Sequence, residues 1–467
     1  MTFRSTVALL LLAAGTAVAQ PAGPPGSKAE EDEVAYAKEI DSLFVKGGLT
    51  SDQAAQRAPN ASPAVVRAAA ELAATAAQLE SAKYAEVPHI GVNASYTRLS
   101  FIAPVELGFG GMSFTIPFLQ NQYILQGQLG VPVSDYFLRF PKLVEAARLA
   151  EQSSRVNAEA TGVNASQDAR LAYYEWVRAK LGVVIARRQL AQVQTTLTQE
   201  RALADVQRVS RADLLRIESQ AAATQQQLDV VTNVAVLREE QLRLLIGAPE
   251  DEQLQIGEDI RGDVSSPEVA QLDELVKQAL AKRLEFKSIN LGIAAKEAQK
   301  ASEKANMYPH LSAFANTDYD RPNQRVFPQK DEFKLTWAAG LQLTWTLNDL
   351  LQSKATQHRL TAEGNELRAD RDNLVRATRI ALLNAQQSVQ VAILNLQTSQ
   401  KALISAEEGY RVRKELLNAE RATAVELVDA QTVLTQARVA ALNARIDLRV
   451  ALAQLAHALG NDVKPTK

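Results

Sequence analysis

The stretch VELVDAQTVLTQARVAALNARIDLRVALAQLAHAL, residues 425–459, carries two interleaved seven-residue series. One is Leu427, Leu434, Ala441, Leu448, Leu455; the other is Ala430, Ala437, Ala444, Ala451, Ala458. An apolar pair recurring every seven residues keeps one face of a helix turned toward a partner along its whole length, so the segment reads as a coiled-coil seam. Alanine in one series lets the helices approach closely. A weaker copy lies 213 residues upstream, in Leu214, Ala221, Leu228, Ala235, Leu242 and Ile217, Thr224, Val231, Arg238, Leu245. The chain is a duplication built on long packed helices.

Working outward, the second half runs as a helix over Val276 to Met307, a stop at Pro309, strand texture over His310 to Leu347, and helix again from Asp349 to Leu459. The first half has the same order: a helical run from Pro63 to Tyr84, a stop at Pro88, strand texture over His89 to Phe137, then helix to Gly247 and Pro249. Local matches set the register. Pro88-His89-Ile90 matches Pro309-His310-Leu311 at an offset of 221; Leu129, Val131, Val133 and Asp135 match Leu343, Trp345, Leu347 and Asp349 at 214. The implied organisation is a first repeat over 63–249 with a β-hairpin at 89–135, a linker over 250–275, and a second repeat over 276–460 with a β-hairpin at 310–347. A segment over 20–62, including a short helix from Glu30 to Val45, precedes the first repeat, and 461–467 forms a tail. From about Tyr136 to Gln207, and from about Asp349 to Asn418, the helices would be about 105 Å long at 1.5 Å per residue.

Composition agrees with extended helix. Gly 21 and Pro 16 are few for 467 residues, aromatics are 5%, and the net charge of −2 gives no basic balance to attract nucleic acid. Residues 1–19 read as a secretory signal, with Arg4 leading, an apolar stretch from Val7 to Ala14, and Ala17-Val18-Ala19 as the cleavage site. With Cys 0 the exported chain is neither disulfide-stapled nor lipidated at a cysteine.

The strand regions carry the second signal. Leu335, Trp337, Ala339, Leu341, Leu343, Trp345 and Leu347 alternate with Thr336, Ala338, Gly340, Gln342, Thr344 and Thr346. Such a run matches one tilted membrane-crossing strand, which needs roughly 9–11 residues, with Trp337, Leu341, Leu343 and Trp345 toward lipid. Tyr123, Leu125, Leu129 and Val131 repeat the pattern, as do Ile90, Val92, Ala94 and Tyr96; the run Leu311 to Asp320 alternates poorly because Phe314 falls out of phase. Alternation alone suits a half-buried soluble sheet equally. Two isolated hairpins between very long helices, behind an export signal, favour the membrane, where strand edges must close against other copies of the chain. The loop Leu99 to Gln120 is apolar enough to fold over a pore mouth or lean into the membrane edge.

With signal, hairpins and helical pairs duplicated in order, the chain resembles the TolC family of outer-membrane efflux and secretion channels. The resemblance rests on Leu129-Gly-Val-Pro-Val-Ser-Asp135, Arg208-Val-Ser-Arg-Ala-Asp-Leu-Leu215 and Leu244-Leu-Ile-Gly-Ala-Pro249 in the first half. In the second half it rests on Tyr308-Pro-His-Leu311, Leu343-Thr-Trp-Thr-Leu-Asn-Asp349, Gly409-Tyr-Arg411 and Val425-Glu-Leu-Val-Asp-Ala430. It implies a mainly α fold of long antiparallel coiled-coil hairpins plus two transmembrane β-hairpins, assembled as a homotrimer with a twelve-stranded barrel and a periplasmic tunnel. The implied protein is a passive efflux duct for small molecules in the outer membrane. Its implied partners are a periplasmic adaptor and an inner-membrane pump of RND or ABC type, with no cofactor. The same duct could serve type I protein secretion, and a structural periplasmic coiled-coil protein is the rival class.

The resemblance also places the closed periplasmic end at the turns near Val206 to Leu215 and Leu417 to Ala430. There it implies a constriction by Glu426 and Asp429, with Asp213 on the first repeat, and Arg208, Arg211, Arg216, Arg421 and Arg411 as counter-charges or adaptor contacts. Family tips commonly place a glycine before the turn, whereas Gln207-Arg208-Val209 and Glu420-Arg421-Ala422 have none. No nucleophile elbow, phosphate loop or paired metal-ligand motif is present, and the four histidines are scattered, so the reading is of a protein that is not an enzyme. His89 and His310, at equivalent repeat positions, read as a polar belt at the membrane interface.

Overall fold

The computed structural model describes residues 38–110, 112–116, 118–262, 270–327 and 329–462. The signal and the Pro/Gly stretch after it lie outside the described residues. Strand β1 (Phe44–Leu49) leads to α1 (Ser51–Ala61), which starts on a capping box made by Thr50 and Gln53, and then to α2 (Pro63–Tyr84). The first repeat continues with β2 (His89–Arg98), β3 (Val105–Phe109), β4 (Met112–Ile116), β5 (Asn121–Val131), α3 (Phe140–Asp205) and α4 (Arg211–Ile246). The second repeat comprises α5 (Leu272–Lys282), α6 (Leu284–Lys304), β6 (His310–Arg321), β7 (Lys334–Thr344), α7 (Leu347–Asn418) and α8 (Ala424–Ala458).

Three expectations are corrected. The helix over Glu30 to Val45 gives way at Phe44 to β1, because Leu49 exchanges backbone hydrogen bonds with the 250–275 linker: its N–H donates to the Gln255 carbonyl at 2.7 Å, and its carbonyl accepts from Gly257 at 2.8 Å. The single helix over Val276 to Met307 is two, starting at Leu272 and breaking at Arg283, whose ψ of 131° is extended. The loop Leu99 to Gln120 contains the small hairpin β3–β4. The run after Leu311, despite its poor alternation, forms the strand expected of the second hairpin, β6, held from both sides.

The main sheet is antiparallel, in the order β2-β5-β6-β7. The junction between repeats is the β5–β6 ladder, from Tyr123 opposite Arg321 to Val131 opposite Ala313. Residues directly opposite one another share a face. The ladders therefore place Ile90, Val92, Ala94 and Tyr96 with Leu129, Leu125 and Tyr123, and these with Tyr319, Ala315, Leu335, Leu341 and Leu343, on one apolar face. The opposite face carries Asn93, Ser95, Gln126, Gln128, Asn316, Asp318 and Gln342. Phe314 lies on this polar face, opposite Gly130 and Gly340; a Cβ at Gly340 would come within 3.0 Å of its ring. Missing side chains on the two flanking strands explain why an aromatic out of phase is accommodated.

The helices form two hairpins, α3–α4 and α7–α8. In α8 the leucine series is fully used: Leu427, Leu434, Ala441, Leu448 and Leu455 are all buried, as are Ala444, Ala451 and Ala458. The largest core gathers Tyr173, Trp176, Val177 and Leu181 of α3 with Leu49, Ala54, Leu242, Ile256 and Ile446, girdling the long helices. A matching core joins Leu275 and Ala279 of α5 to Leu382, Val389, Leu448 and Leu455. Among the described residues no helix is long and apolar enough to cross a membrane.

The girdle is closed by a backbone crossing. A Cβ built on Gly257 would lie 2.0 Å from the Gly48 carbonyl oxygen, and one on Gly48 would lie 2.8 Å from that of Gln255. Substitution of Gly257 by alanine should cost about 2 kcal/mol or more by forcing these segments apart. Gly409→Ala, on an open helix face with nothing within 4 Å of the new methyl, should stabilise slightly. Thermal unfolding of the two variants checks the contrast.

Candidate functional site

The ends of the two hairpins farthest from the sheet are built alike. Each long helix stops without glycine: Gln207 and Glu420 adopt φ of 60° and 57°, the left-handed region. In each, the next residue donates back five positions, Arg208 to the Leu203 carbonyl at 2.9 Å and Arg421 to the Leu416 carbonyl at 2.8 Å. This satisfies carbonyls that a helix end leaves open, and it recovers a glycine-type stop from a side-chain-bearing residue at a modest local cost. Each return helix is then capped by a hydroxyl, Ser210 accepting from the Asp213 N–H at 3.1 Å and Thr423 from the Glu426 N–H at 3.3 Å. Below the turns Leu197, Ile217, Ala424 and Val428 pack as one cluster, so α8 is seated against both helices of the first hairpin.

The expected constriction acids all stand at this end, but each is engaged within the chain. Glu426 accepts from Arg413 of α7 at 2.7 Å, and Asp429 from Arg216 of α4 at 3.5 Å. Asp213 accepts from the Ser210 hydroxyl at 2.7 Å. Two of the five arginines pair between repeats: Arg216 as above, and Arg208 with Glu420 at 2.9 Å, joining the two turns. Arg411 spans Glu408 and Glu415 of its own helix, both at 2.6 Å, and reaches neither Glu426 nor Asp429 within the chain. Arg211 and Arg421 are exposed and make no ion pair among the described residues. All these pairs are solvent-exposed, so each contributes about 0–1 kcal/mol and is weakened by salt.

One residue escaped the sequence reading. Glu200, near the end of α3, is 5% exposed, and its carboxyl is pushed above the usual range by burial, with the nearby charge of Asp213 adding to the effect. Its counterpart at the repeat offset of 213 is Arg413, the partner of Glu426. The second hairpin therefore holds an ion pair where the first holds two acids. The register of the repeats contained this signal, once position 200 was compared with position 413.

The residues expected at a lipid face stand together on the open apolar face of the sheet. Trp337, Leu341 and Leu343 are 73%, 71% and 69% exposed, and Leu125 and Tyr123 also stand on the open apolar face. Trp345 lies one residue beyond the end of β7, and its indole N–H donates to the Met307 carbonyl at 3.4 Å. In the first repeat the equivalent carbonyl, that of Glu86, accepts from the Tyr136 hydroxyl. His310 meets Asp135 at 2.9 Å, while His89 is exposed.

This geometry defines a fold class: a twice-repeated unit of β-hairpin and long helical hairpin, with a four-stranded sheet that is apolar on one face and polar on the other. The match to solved structures is of the same kind. The chain superposes on CusC, described as forming a transmembrane channel, with a TM-score of 0.72 at 14% identity over 90% of this chain and 93% of that one. It superposes on VceC of Vibrio cholerae with 0.71 at 16% identity, covering 88% and 96%, and on the open state of the MtrE outer membrane channel of Neisseria gonorrhoeae with 0.71 at 16%, covering 88% of each. No curated protein sequence matches the chain. Residues 275–461 match the family model of the outer membrane efflux protein. The second repeat thus matches the outer membrane efflux protein family along its length, and the fold of the whole chain is that of outer-membrane channels, in line with the resemblance to the TolC family.

The Glu200 carboxyl, with its pKa raised in the folded state, binds its proton more tightly folded than unfolded. Its favourable contribution is thus full below the ordinary glutamate range and lost as pH rises through the raised value. Glu200→Gln should make the tip more resistant to opening at neutral pH and leave it unchanged near pH 4. Hydrogen exchange of backbone amides at 197–217, followed at both pH values, checks the sign.

Proposed function

We propose that three copies of this chain form a passive duct through the outer membrane and across the periplasm, exporting small molecules delivered by an inner-membrane pump through an adaptor. The observation that carries it is the sheet: four long strands with one continuous apolar face, one polar face and two unpaired edges, β2 and β7. In hydrocarbon an open edge leaves backbone groups without partners, so the sheet closes only with further copies. Twelve strands, four from each of three copies, give a barrel whose polar faces line a lumen. Hairpins of about 100 Å continue it, at 1.5 Å per residue. No lipid tether is part of this reading, since the chain has no cysteine. The driving energy is assigned to the pump, since the sequence carries no Gly-rich phosphate loop for a nucleotide.

At the periplasmic end, Glu426, Asp429 and Asp213 form the constriction, repeated by threefold symmetry. Arg413 and Arg216 hold two of these acids, so the resting tip is latched by ion pairs between helices and opens when the hairpins slide apart. The unpaired Arg211 and Arg421 are left facing outward as contacts for the adaptor. Acidic rings in a narrow mouth favour cations.

The reading requires a trimer extracted from the outer membrane only by detergent. In planar bilayers, replacing Glu426 and Asp429 together by alanine should raise conductance severalfold and lower cation preference. Unchanged values of both would remove these residues from the gate, and a detergent-free monomer would remove the duct.

A further inference from the structure

The duplication specifies how one copy meets the next, residue by residue. This inference rests on the trimeric reading above and goes beyond it. At the seam inside the chain, β5 of the first repeat pairs with β6 of the second, and just beyond the ladder Asp135 meets His310 at 2.9 Å. Ser134 completes that corner: its N–H donates to the Leu311 carbonyl at 3.1 Å, and its hydroxyl accepts from the Leu311 N–H at 3.2 Å.

The same parts stand unpartnered at the two ends of the sheet. β7 is the repeat equivalent of β5 and is followed by Asn348 and Asp349, where the first repeat has Ser134 and Asp135. β2 is the equivalent of β6 and opens on His89, where the second repeat has His310. The side chains of His89 and Asp349 are both exposed and make no hydrogen bond or ion pair among the described residues. Asn348, like serine, offers a side-chain oxygen to a backbone N–H.

We infer that β7 of one copy pairs with β2 of the next in the register of the internal seam, so that Asp349 meets His89 of the second copy as Asp135 meets His310. Carrying Val131–Ala313 and Leu129–Ala315 across by the repeat offsets gives Trp345 opposite Val92, Leu343 opposite Ala94, Leu341 opposite Tyr96 and Ala339 opposite Arg98. The parity of this register is an internal check. It joins Leu341 and Leu343 to Val92 and Tyr96 on one side, extending the apolar face without interruption, whereas a shift by one residue would put it against Asn93 and Ser95. Asn348 then accepts from the Ile90 N–H of the next copy. The seam between copies lacks one element of the internal one, because Ser353 stands where Arg139 bonds Asp135.

Because the chain has no cysteine, introduced pairs report the register directly. In Val92→Cys/Trp345→Cys, a short bis-maleimide, which adds both thiols as thioethers, should convert most of the detergent-extracted protein to a covalent trimer. In Val92→Cys/Leu341→Cys the partners are four residues out of register, about 13 Å along the strand, and should give no covalent trimer. His89→Ala and Asp349→Ala should lower the heat-dissociation midpoint of the trimer by the same few degrees, and the double variant should lower it no further, as for one shared interaction. A trimer linked through the slipped pair, or through neither, overturns the register while leaving the duct intact, and additive or absent shifts overturn the histidine–carboxylate contact. Failure to form any trimer would instead defeat the functional reading on which the inference rests.

Discussion

A strand with hydrocarbon on one side has no water to turn to, so each of its backbone groups must find a neighbouring strand. The β5–β6 ladder meets this demand once within the chain and sets the pattern for everything attached to it. It fixes which face of each hairpin looks outward and aligns the two repeats. It also brings β6 beside the residues that follow β5, which is how Asp135 comes to hold His310. The helical hairpins extend from this alignment, with α8 packed between its own partner α7 and the first hairpin. Distant as they are in sequence, Arg216 and Asp429 meet because the seam has already brought their hairpins side by side.

The tip shows how one design diverges after duplication. Both turns use a left-handed residue with a side chain, both recover the lost carbonyl bonds, and both cap the return helix with a hydroxyl. Their electrostatics differ. Arg413 and Glu426 hold the second hairpin together, whereas Glu200 and Asp213 load the first with like charge in a dry place. The salt bridges from Arg208 and Arg216 tie the first hairpin to the second.

Much of this was legible in the residues. The heptads of α8 predict its buried face position by position, and the alternation from Leu335 predicts both faces of β7. Pro63 and Pro88 bracket α2 closely. Where the sequence misled, the cause was a partner distant along the chain. Nothing near Phe44 announces a strand, because its register is set by the backbone of Gln255 to Gly257. Phe314 spoils the alternation of β6 until Gly130 and Gly340 are seen on either side of it. The break at Arg283 has neither glycine nor proline to mark it. At the tip the positions of the acids were readable, but not their ion-pair partners, since a charge on a helix surface does not say which neighbouring helix it will reach.

The girdle through Trp176 and Leu181 has a mechanical meaning. It grips α3 near its middle, leaving about 24 residues, or roughly 36 Å, between Leu181 and Asp205. Those residues form a lever arm, and the glycine crossing of Gly48 and Gly257 is part of its fulcrum. A tilt of about 10° at the girdle would carry the far end through about 6 Å at that radius, enough to separate the two ion pairs that join the hairpins, Arg208–Glu420 and Arg216–Asp429, while the strands hold still. In the proposed duct this would decouple the seal against lipid from the movement of the mouth, the same fulcrum holding the membrane end while amplifying motion at the other.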